Sequence, residues 1–302
     1  MAKKDHPIIL VFSILGIAIL FFGTIIFIVH SISNKIPSLG ISNKIGVIPI
    51  QGVIKDSDEI TRQLIGFRND KQIKSIILKI NSPGGGVGAS QEIYSETKRT
   101  TQTKNVIASL GSLAASGAYY VASASDKIVA NPGTLTGSIG VLMEFVRLDE
   151  LLNKIGVELE VIKSGEFKDI GSPNRKMTDR EKEMLLNIVE DIREQFVTAV
   201  SEGRNIPKEK ILEIADGRIF SGQQAKTLGL VDSLGNFQDA VDLAKKMAGI
   251  KGKVRLVYPE RKRRFPLWDL LFSNMIDSIV KRIDRSCEPL EYRWNGDFSL
   301  SD

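Results

Sequence analysis

The chain has 302 residues, of which 42% are hydrophobic and 25% charged, and its formal net charge is +5. This composition is typical of a folded globular protein and excludes a disordered or fibrous chain. The single cysteine, Cys287, excludes an intramolecular disulfide and a multi-cysteine metal cluster. Both histidines, His6 and His30, precede residue 31. We therefore expect no metal site and no cofactor in the folded body, and any hydrolytic reaction there needs a base other than histidine.

The positive charge is concentrated near the two ends of the chain. Residues 258–285 carry seven basic and four acidic side chains, a net charge of +3, and Lys3 and Lys4 outweigh Asp5. The rest of the chain is close to neutral. We therefore expect no nucleic-acid partner, because a polyanion binds to a concentrated basic surface.

Residues 7–29 form an apolar run without a charge. As a helix this run would be about 35 Å long, which exceeds the roughly 30 Å hydrocarbon layer of a membrane. A cleaved signal peptide is the alternative, but it needs a shorter apolar region and a small-residue cleavage site, which residues 28–35 do not offer. We predict an uncleaved, single-pass anchor in the cell membrane. Because Lys3 and Lys4 precede it, the N-terminus is expected in the cytoplasm and the body on the extracytoplasmic side.

The sequence divides into four predicted parts. A cytoplasmic N-terminus and anchor (residues 1–30) precede a linker (31–43), a folded domain (44–250) and a basic amphipathic tail (251–302). In the domain, short β-branched runs alternate with longer helical stretches, which is typical of an α/β fold with a largely parallel sheet. The predicted strands are 45–50, 73–80, 105–110, 127–130 and 157–163. The predicted helices are 58–67, 87–100, 115–124, 147–155, 178–203 and 236–248, and a capping box at Ser221 and Gln224 opens one more.

The tail joins a basic cluster to an apolar helical face. Residues 261–264 read Arg-Lys-Arg-Arg, and apolar side chains from Trp268 to Ile283 follow at helical spacing. Such a helix can bind a lipid headgroup region. The pattern leaves open that it docks on its own domain or on a neighbouring subunit.

Three segments carry residues suited to chemistry, and the first is residues 81–88, directly after the strand 73–80. Its glycines at 84–86 let backbone N–H groups approach a ligand closely, so a following helix would complete an anion or oxyanion site. The segment lacks the Gly-x-x-x-x-Gly-Lys-Ser/Thr pattern of a nucleotide-binding loop. A tight strand-to-helix turn is the structural alternative.

The second and third segments contain a serine and a lysine. In residues 111–120, small side chains surround Ser116, which would let a substrate backbone reach its hydroxyl; close helix packing is the alternative. In residues 163–173, Lys168 lies among Gly, Ser and Pro, where a lysine is usually a solvated loop residue. The alternative is a lysine in an apolar pocket, because a neutral amine there can activate a serine without histidine.

Together with residues 135–141, Leu-Thr-Gly-Ser-Ile-Gly-Val, these segments resemble in the same order the short form of the signal peptide peptidase A family, peptidase family S49. The resemblance spans about residues 44–250. Members of this family are serine proteases with a Ser/Lys dyad. The resemblance implies an α/β, caseinolytic protease/crotonase-like fold of repeated β-β-α units, here preceded by one N-terminal transmembrane helix.

Carried onto the matching positions, the resemblance implies Ser116 as nucleophile and Lys168 as general base. Gly85 and Gly117 would supply the N–H groups of the oxyanion hole, and Ser138 would orient the lysine.

Two neighbours of Lys168 bear on this assignment. We expect Asp169 to point away from Lys168, because a nearby carboxylate would hold the amine protonated. Lys163 is a rival base, and the match to the motif favours Lys168 over it.

The implied function is that of a membrane-anchored serine endopeptidase that degrades cleaved signal peptides and other membrane-proximal peptides. The family forms homo-oligomers, here expected as a tetramer to octamer, that recess the active sites, so folded proteins should be poor substrates. One alternative is a crotonase-like acyl-CoA enzyme, which uses the same oxyanion hole without the dyad. Another is a catalytically inactive membrane scaffold.

Overall fold

The structure, a computed structural model, describes residues 16–18, 20–28 and 43–259 and the backbone of residues 291–293. The chain divides into two units, Met1–Ile41 and Ser42–Asp302. In the first unit the described residues are helical. Within the described part of the chain, no helix combines the length and the apolar character that crossing a membrane requires. The rest of the predicted anchor at residues 7–29 lies outside the described residues.

The second unit is built on one mainly parallel sheet with helices on both faces. Its strands are β1 (Lys44–Gln51), β2 (Ile73–Ser82), β3 (Gly84–Gly86), β4 (Asn105–Ala115), β5 (Lys127–Ala130), β6 (Leu135–Gly137), β7 (Ile219–Ser221), β8 (Ser233–Leu234), β9 (Arg255–Val257) and β10 (Glu291–Arg293). Its helices are α1 (Asp58–Asn69), α2 (Val87–Thr101), α3 (Gly117–Ser123), α4 (Asp149–Lys154), α5 (Asp179–Arg204), α6 (Lys208–Leu212), α7 (Gly222–Thr227) and α8 (Phe237–Met247).

The sheet is organised around β4. The strand order is β7-β6-β4-β2-β1-β9, and β5 joins β4 to β8. Residues 107–110 of β4 pair with β5, and residues 113–115 pair with β6. All these pairings are parallel except that of β6 with β7. The predicted α/β class and parallel sheet are therefore confirmed.

The apolar core lies on both faces of this sheet, because successive side chains of a strand point to opposite faces. One cluster joins Ile76 and Leu78 of β2 to Ile93 of α2 and Phe196 of α5. The other joins Ile77, the residue between them, to α8. With both faces covered, the central strands read as nearly continuous apolar runs, as expected for a buried parallel sheet.

The predicted strand at residues 157–163 is wrong. The segment forms no ladder and lies exposed, with Leu159 at 55%, Val161 at 51% and Ile162 at 95% exposure. Its alternation of apolar and polar residues is strand-like, but a strand also needs a backbone partner. No strand in the described part of the chain pairs with it.

Part of the predicted tail belongs to the sheet. β9 lies beyond residue 250 and pairs in parallel with β1. β10 pairs with β3 in a separate antiparallel ladder. The predicted basic and amphipathic stretch from 261 to 283 lies outside the described residues.

Candidate active site

Ser116 occupies the sharp turn between β4 and α3. Its backbone has φ 56° and ψ −124°, an unfavourable conformation for a residue with a Cβ. Such a residue costs of order 1–3 kcal/mol and persists only where its surroundings hold it. Here its N–H donates to Gly137 O at 2.8 Å, and its carbonyl accepts from Tyr120 N at 2.8 Å. The strand–turn–helix geometry resembles the strained turn on which α/β-hydrolases present a nucleophilic serine.

Gly117 is the first residue of α3, so its N–H has no acceptor within that helix. The helix is fixed beneath it, since all of its residues are buried and Tyr119 donates its hydroxyl to Leu230 O at 2.8 Å. Gly117 directly follows Ser116 in the chain, and its N–H belongs to the first residue of a buried helix. This is the position that a donor to an oxyanion requires.

Gly85 lies in the middle of β3, against which α3 rests. Gly84 O accepts from Ile54 N, and Gly86 N donates to Ile54 O, both at 2.8 Å. Because alternate residues of a strand turn their backbone groups to opposite edges, the Gly85 N–H faces the other edge, where β10 places Tyr292. A Cβ on Gly85 would lie 2.1 Å from Ile54 O, so only glycine allows this approach.

Ser138 lies beside Ser116. Ala115 of β4 pairs with Gly137 of β6, and the two serines follow these paired residues directly. Ser138 also has a positive φ, 51°, and its N–H donates to Arg218 O at 2.8 Å. Both serines are buried, at 2% and 7% exposure. The structure thus brings together four of the five residues selected from the sequence.

Lys168, the fifth residue, lies in the turn that precedes α5. Its backbone N–H donates to Gly165 O at 3.2 Å, and its side chain is exposed. Within the described part of this single chain, no hydrogen bond joins its Nζ to Ser116 or Ser138. The resemblance-based contact between the lysine and the serine is therefore not formed here.

Lys163, the rival base, has its amine occupied. Its Nζ forms a salt bridge with Asp169 Oδ1 at 2.7 Å and donates to Glu166 O at 2.9 Å. Both contacts use the donors of this amine, so it is engaged within its own loop. Lys168 has no such carboxylate partner among the described residues, which makes it the better candidate for a base.

Asp169 is turned away from Lys168, as expected. Its carboxylate accepts hydrogen bonds from Arg175 and from Lys163. These two cations, Arg175 first, hold the pKa of Asp169 well below its usual range. Arg175 also binds Glu181, and its donors lower the pKa of that carboxyl to about 2.

Sequence reasoning did not single out Arg175 or Glu181. The only signal was the spacing of Thr178 and Glu181, a capping box that the structure contains at the start of α5. Separately, among the described residues no group of three or more His, Cys, Asp or Glu side chains could hold a metal ion.

Comparison with known families identifies the family and agrees with the fold. The family model of peptidase family S49 matches residues 98–251, which include Ser116, Ser138 and Lys168. This chain belongs to peptidase family S49. The model of the Clp protease family matches residues 42–134 of this S49 peptidase, which agrees with the expected caseinolytic protease-like fold.

Individual relatives agree with the family assignment. A Synechocystis protein named as an inferred protease is 46% identical over 181 residues, 60% of this chain and 65% of the relative. An Enterococcus faecium protein named as an inferred signal peptide peptidase SppA is 36% identical over 246 residues, 76% and 70% of the two chains. The chloroplastic serine protease SPPA of Arabidopsis thaliana is 32% identical over 251 residues, 83% of this chain but 37% of the relative. The S49 chain described here is a serine peptidase.

Proposed function

We propose that this S49 peptidase cleaves peptides with Ser116 as nucleophile and Lys168 as general base. The observation that carries the proposal is the strained turn at Ser116, which is held between Gly137 and α3. Strained backbone of this kind concentrates at functional sites. The absence of a carboxylate partner for Lys168 among the described residues supports the second assignment, and burial of its amine is left to the assembly proposed below.

In the proposed reaction the neutral amine of Lys168 removes the hydroxyl proton of Ser116. At the same time Ser116 Oγ forms a bond to the scissile carbonyl carbon. The N–H groups of Gly85 and Gly117 stabilise the tetrahedral oxyanion. The intermediate then breaks its C–N bond, and the Lys168 ammonium returns the proton to the leaving amine. Water attacks the acyl-enzyme with the same lysine as base, which releases the carboxylic acid and restores Ser116.

Ser138 would orient Lys168 in this scheme. Its place directly after Gly137, whose carbonyl holds the Ser116 backbone, supports this role. A hydroxyl beside the nucleophile can accept a hydrogen bond from the lysine amine and so fix its direction.

The edge of β3 is the proposed binding surface for the substrate. Residues 291–293 of this chain lie along it as an antiparallel strand, so the edge accepts extended backbone. A substrate peptide that displaced residues 291–293 and bound in the same way would lie across Gly85 and present its carbonyl to the oxyanion donors. Extended binding favours unfolded segments, and we propose cleaved signal peptides and other membrane-proximal peptides as the substrate class. The name of the E. faecium relative supports this class.

Assembly into a homo-oligomer, tetramer to octamer, is part of the proposal. Residues 157–163 alternate apolar and polar side chains, as a strand does, yet remain unpaired and exposed. Large exposed apolar patches mark interaction sites. A second copy of the chain that covered this segment would also exclude water from the neighbouring Lys168 turn, which would favour its neutral amine.

We also propose that residues 7–29 anchor the chain in a membrane, with the N-terminus in the cytoplasm. The uncharged length of this run and the preceding lysines support the anchor. Alkaline carbonate extraction of membranes tests it: the full chain should stay in the pellet, and its release into the supernatant would contradict the anchor.

Cleavage of a signal-peptide-like substrate by the full chain tests the dyad. Ser116→Ala and Lys168→Ala should each lower kcat by at least about 10⁴-fold, while the matched controls Ser112→Ala and Lys176→Ala, both at exposed positions, stay near wild type. Full activity in either dyad variant overturns the assignment. Hydrolysis of an acyl-CoA that survives both dyad substitutions would favour the crotonase-like alternative.

A further inference from the structure

We propose that Arg175 is a positioning residue for the general base, acting on the Lys168 turn through Asp169. The proposal rests on the proposed role of Lys168. Arg175 lies between two carboxylates that belong to different elements: Asp169 adjoins the lysine, and Glu181 lies in the first turn of α5. It thereby connects the turn that carries the proposed base to the first turn of α5.

The contact with Asp169 is bidentate. Arg175 Nε donates to Oδ2 at 2.8 Å and Nη2 donates to Oδ1 at 2.7 Å. The planar guanidinium matches the two carboxylate oxygens, which fixes direction as well as distance. A lysine in place of Arg175 would keep the charge but lose this paired geometry.

The contact with Glu181 is equally close and leads into the core. Arg175 Nη1 and Nη2 donate to the Glu181 carboxylate at 2.9 and 2.5 Å. The Glu181 side chain is 2% exposed and also caps the N–H of Thr178 at 2.8 Å. Farther along the same helix, Phe196 and Val200 are fully buried. Arg175 therefore ties the turn to an element that cannot move without disturbing the core.

The other side of the Lys168 turn is tied to the same helix. Arg180, in the first turn of α5, stacks over the Phe167 ring at 5.2 Å and forms a salt bridge with Glu166 at 2.8 Å. The residues on both sides of Lys168 are thus fixed, while its own side chain is left without a polar partner among the described residues. These contacts hold the backbone on both sides of Lys168 and leave its amine available to accept the proton of Ser116.

The same contacts control the charge around the base. The other charged residues of this turn and of the first turn of α5 are Lys163, Glu166, Asp169, Arg175, Lys176, Asp179, Arg180, Glu181 and Lys182. Only the Asp169 carboxylate adjoins Lys168 in sequence, and Arg175 and Lys163 occupy both of its oxygens. Without Arg175 this carboxylate would have unpaired acceptor oxygens, and a hydrogen bond from the Lys168 ammonium to them would favour the charged form of the lysine.

The test compares Arg175→Ala with Arg175→Ala/Asp169→Asn, and uses Arg193→Ala as a control because Arg193 forms a similar pair with Glu190 away from the turn. Signal-peptide-like substrate is cleaved by the full chain across a pH series, and active enzyme is counted by covalent labelling of Ser116. We expect Arg175→Ala to lower kcat about tenfold at neutral pH with little change in KM, and to move the activity curve about one pH unit upward. The double variant should return the curve to its wild-type position, and Arg193→Ala should leave it there.

A merely structural arginine would reduce the labelled fraction without moving the curve, and that result overturns the proposal. The proposal is also overturned if the activity curve of the double variant is shifted as far in pH as that of Arg175→Ala. If Arg175→Ala does not fold, Arg175→Lys is used instead. We expect its activity curve to move upward in pH by less than one unit, and a curve that does not move would contradict the proposal. Failure of the dyad itself appears separately, as retained activity in Lys168→Ala.

Discussion

The Ser116 region and the Lys168 segment are built in opposite ways. Ser116 lies on a long central strand, is buried, and has its backbone held by Gly137 and α3. Lys168 lies in a turn and its side chain is exposed. The turn follows closely on residues 157–163, whose apolar side chains are also exposed. The residues proposed as the nucleophile and the oxyanion donors therefore lie on ordered, buried elements of one chain. The base half depends on a local ion-pair network and, we propose, on a second copy.

The nucleophile half should be the less tolerant of small changes. Gly85→Ala places a Cβ 2.1 Å from Ile54 O, so β3 must shift and take the Gly85 N–H with it. Loss of one oxyanion donor typically lowers kcat by 10²–10³-fold, and we expect about this loss in peptide cleavage. Gly88→Ala is the matched control, because nothing lies within 4 Å of its added Cβ. Equal activity in both variants would show that the close approach of β3 is not needed.

The base half should respond to assembly. Ile162→Asp places a charge at a fully accessible apolar position of the segment that we expect a second copy to cover. Sedimentation should shift towards the monomer, and activity should fall about tenfold, since burying an unpaired charge in an interface is costly. Glu160→Gln, a polar position of the same segment, should change neither. An Ile162→Asp variant that sediments and cleaves like wild type would contradict the assembly proposal.

The ion-pair network should stabilise the protein only above acidic pH. The folded-state pKa of Glu181 is lowered to about 2, against about 4.3 in an unfolded chain. Its contribution is thus complete above about pH 4.3 and is lost as the pH falls through about 2. Glu181→Gln should therefore unfold at lower urea than wild type at pH 7, and the difference should shrink towards pH 2. Glu183→Gln, a substitution at an exposed position of the same helix, should show no pH-dependent difference in urea unfolding from wild type. If the difference between Glu181→Gln and wild type does not change with pH, the proposed stabilisation by the network is contradicted.

The smallest expected effect concerns the strained turn itself. A glycine normally destabilises a regular element by about 0.5–1 kcal/mol relative to alanine. At Ser116 the order should reverse, because Ser116→Gly relieves the conformation at φ 56° and Ser116→Ala does not. Urea unfolding at equal protein concentration measures this, with Ser112→Gly and Ser112→Ala as the pair that keeps the ordinary order. The ordinary order at Ser116 would mean that the turn is not strained.

The two regions also differ in how far the sequence predicts them. The apolar pattern located β2, α2, α5 and α8 to within a few residues, because β2 is a short apolar run buried on both faces and each helix buries one apolar face. The glycine loop and the small residues around Ser116 pointed to the nucleophile half, although a positive φ at a serine has no sequence signal. The strand at 157–163 was wrong because alternation says nothing about whether a partner strand is present.

Tertiary relations in the base half had the weakest signal. Asp169, Arg175 and Glu181 are spaced six residues apart in a turn and a helix start, a spacing that matches no regular period. Their pairing depends on how the turn folds back on α5. The meeting of Lys168 with Ser116 is likewise a tertiary relation, and it stays a prediction.

Covalent labelling tests the central assignment most directly. A fluorophosphonate reacts with an activated serine hydroxyl, and mass spectrometry of the digested full chain locates the adduct. The account predicts an adduct on Ser116 in the wild type and labelling at least about 100-fold slower in Lys168→Ala. An adduct on another serine, or equal labelling rates in the two proteins, would contradict it.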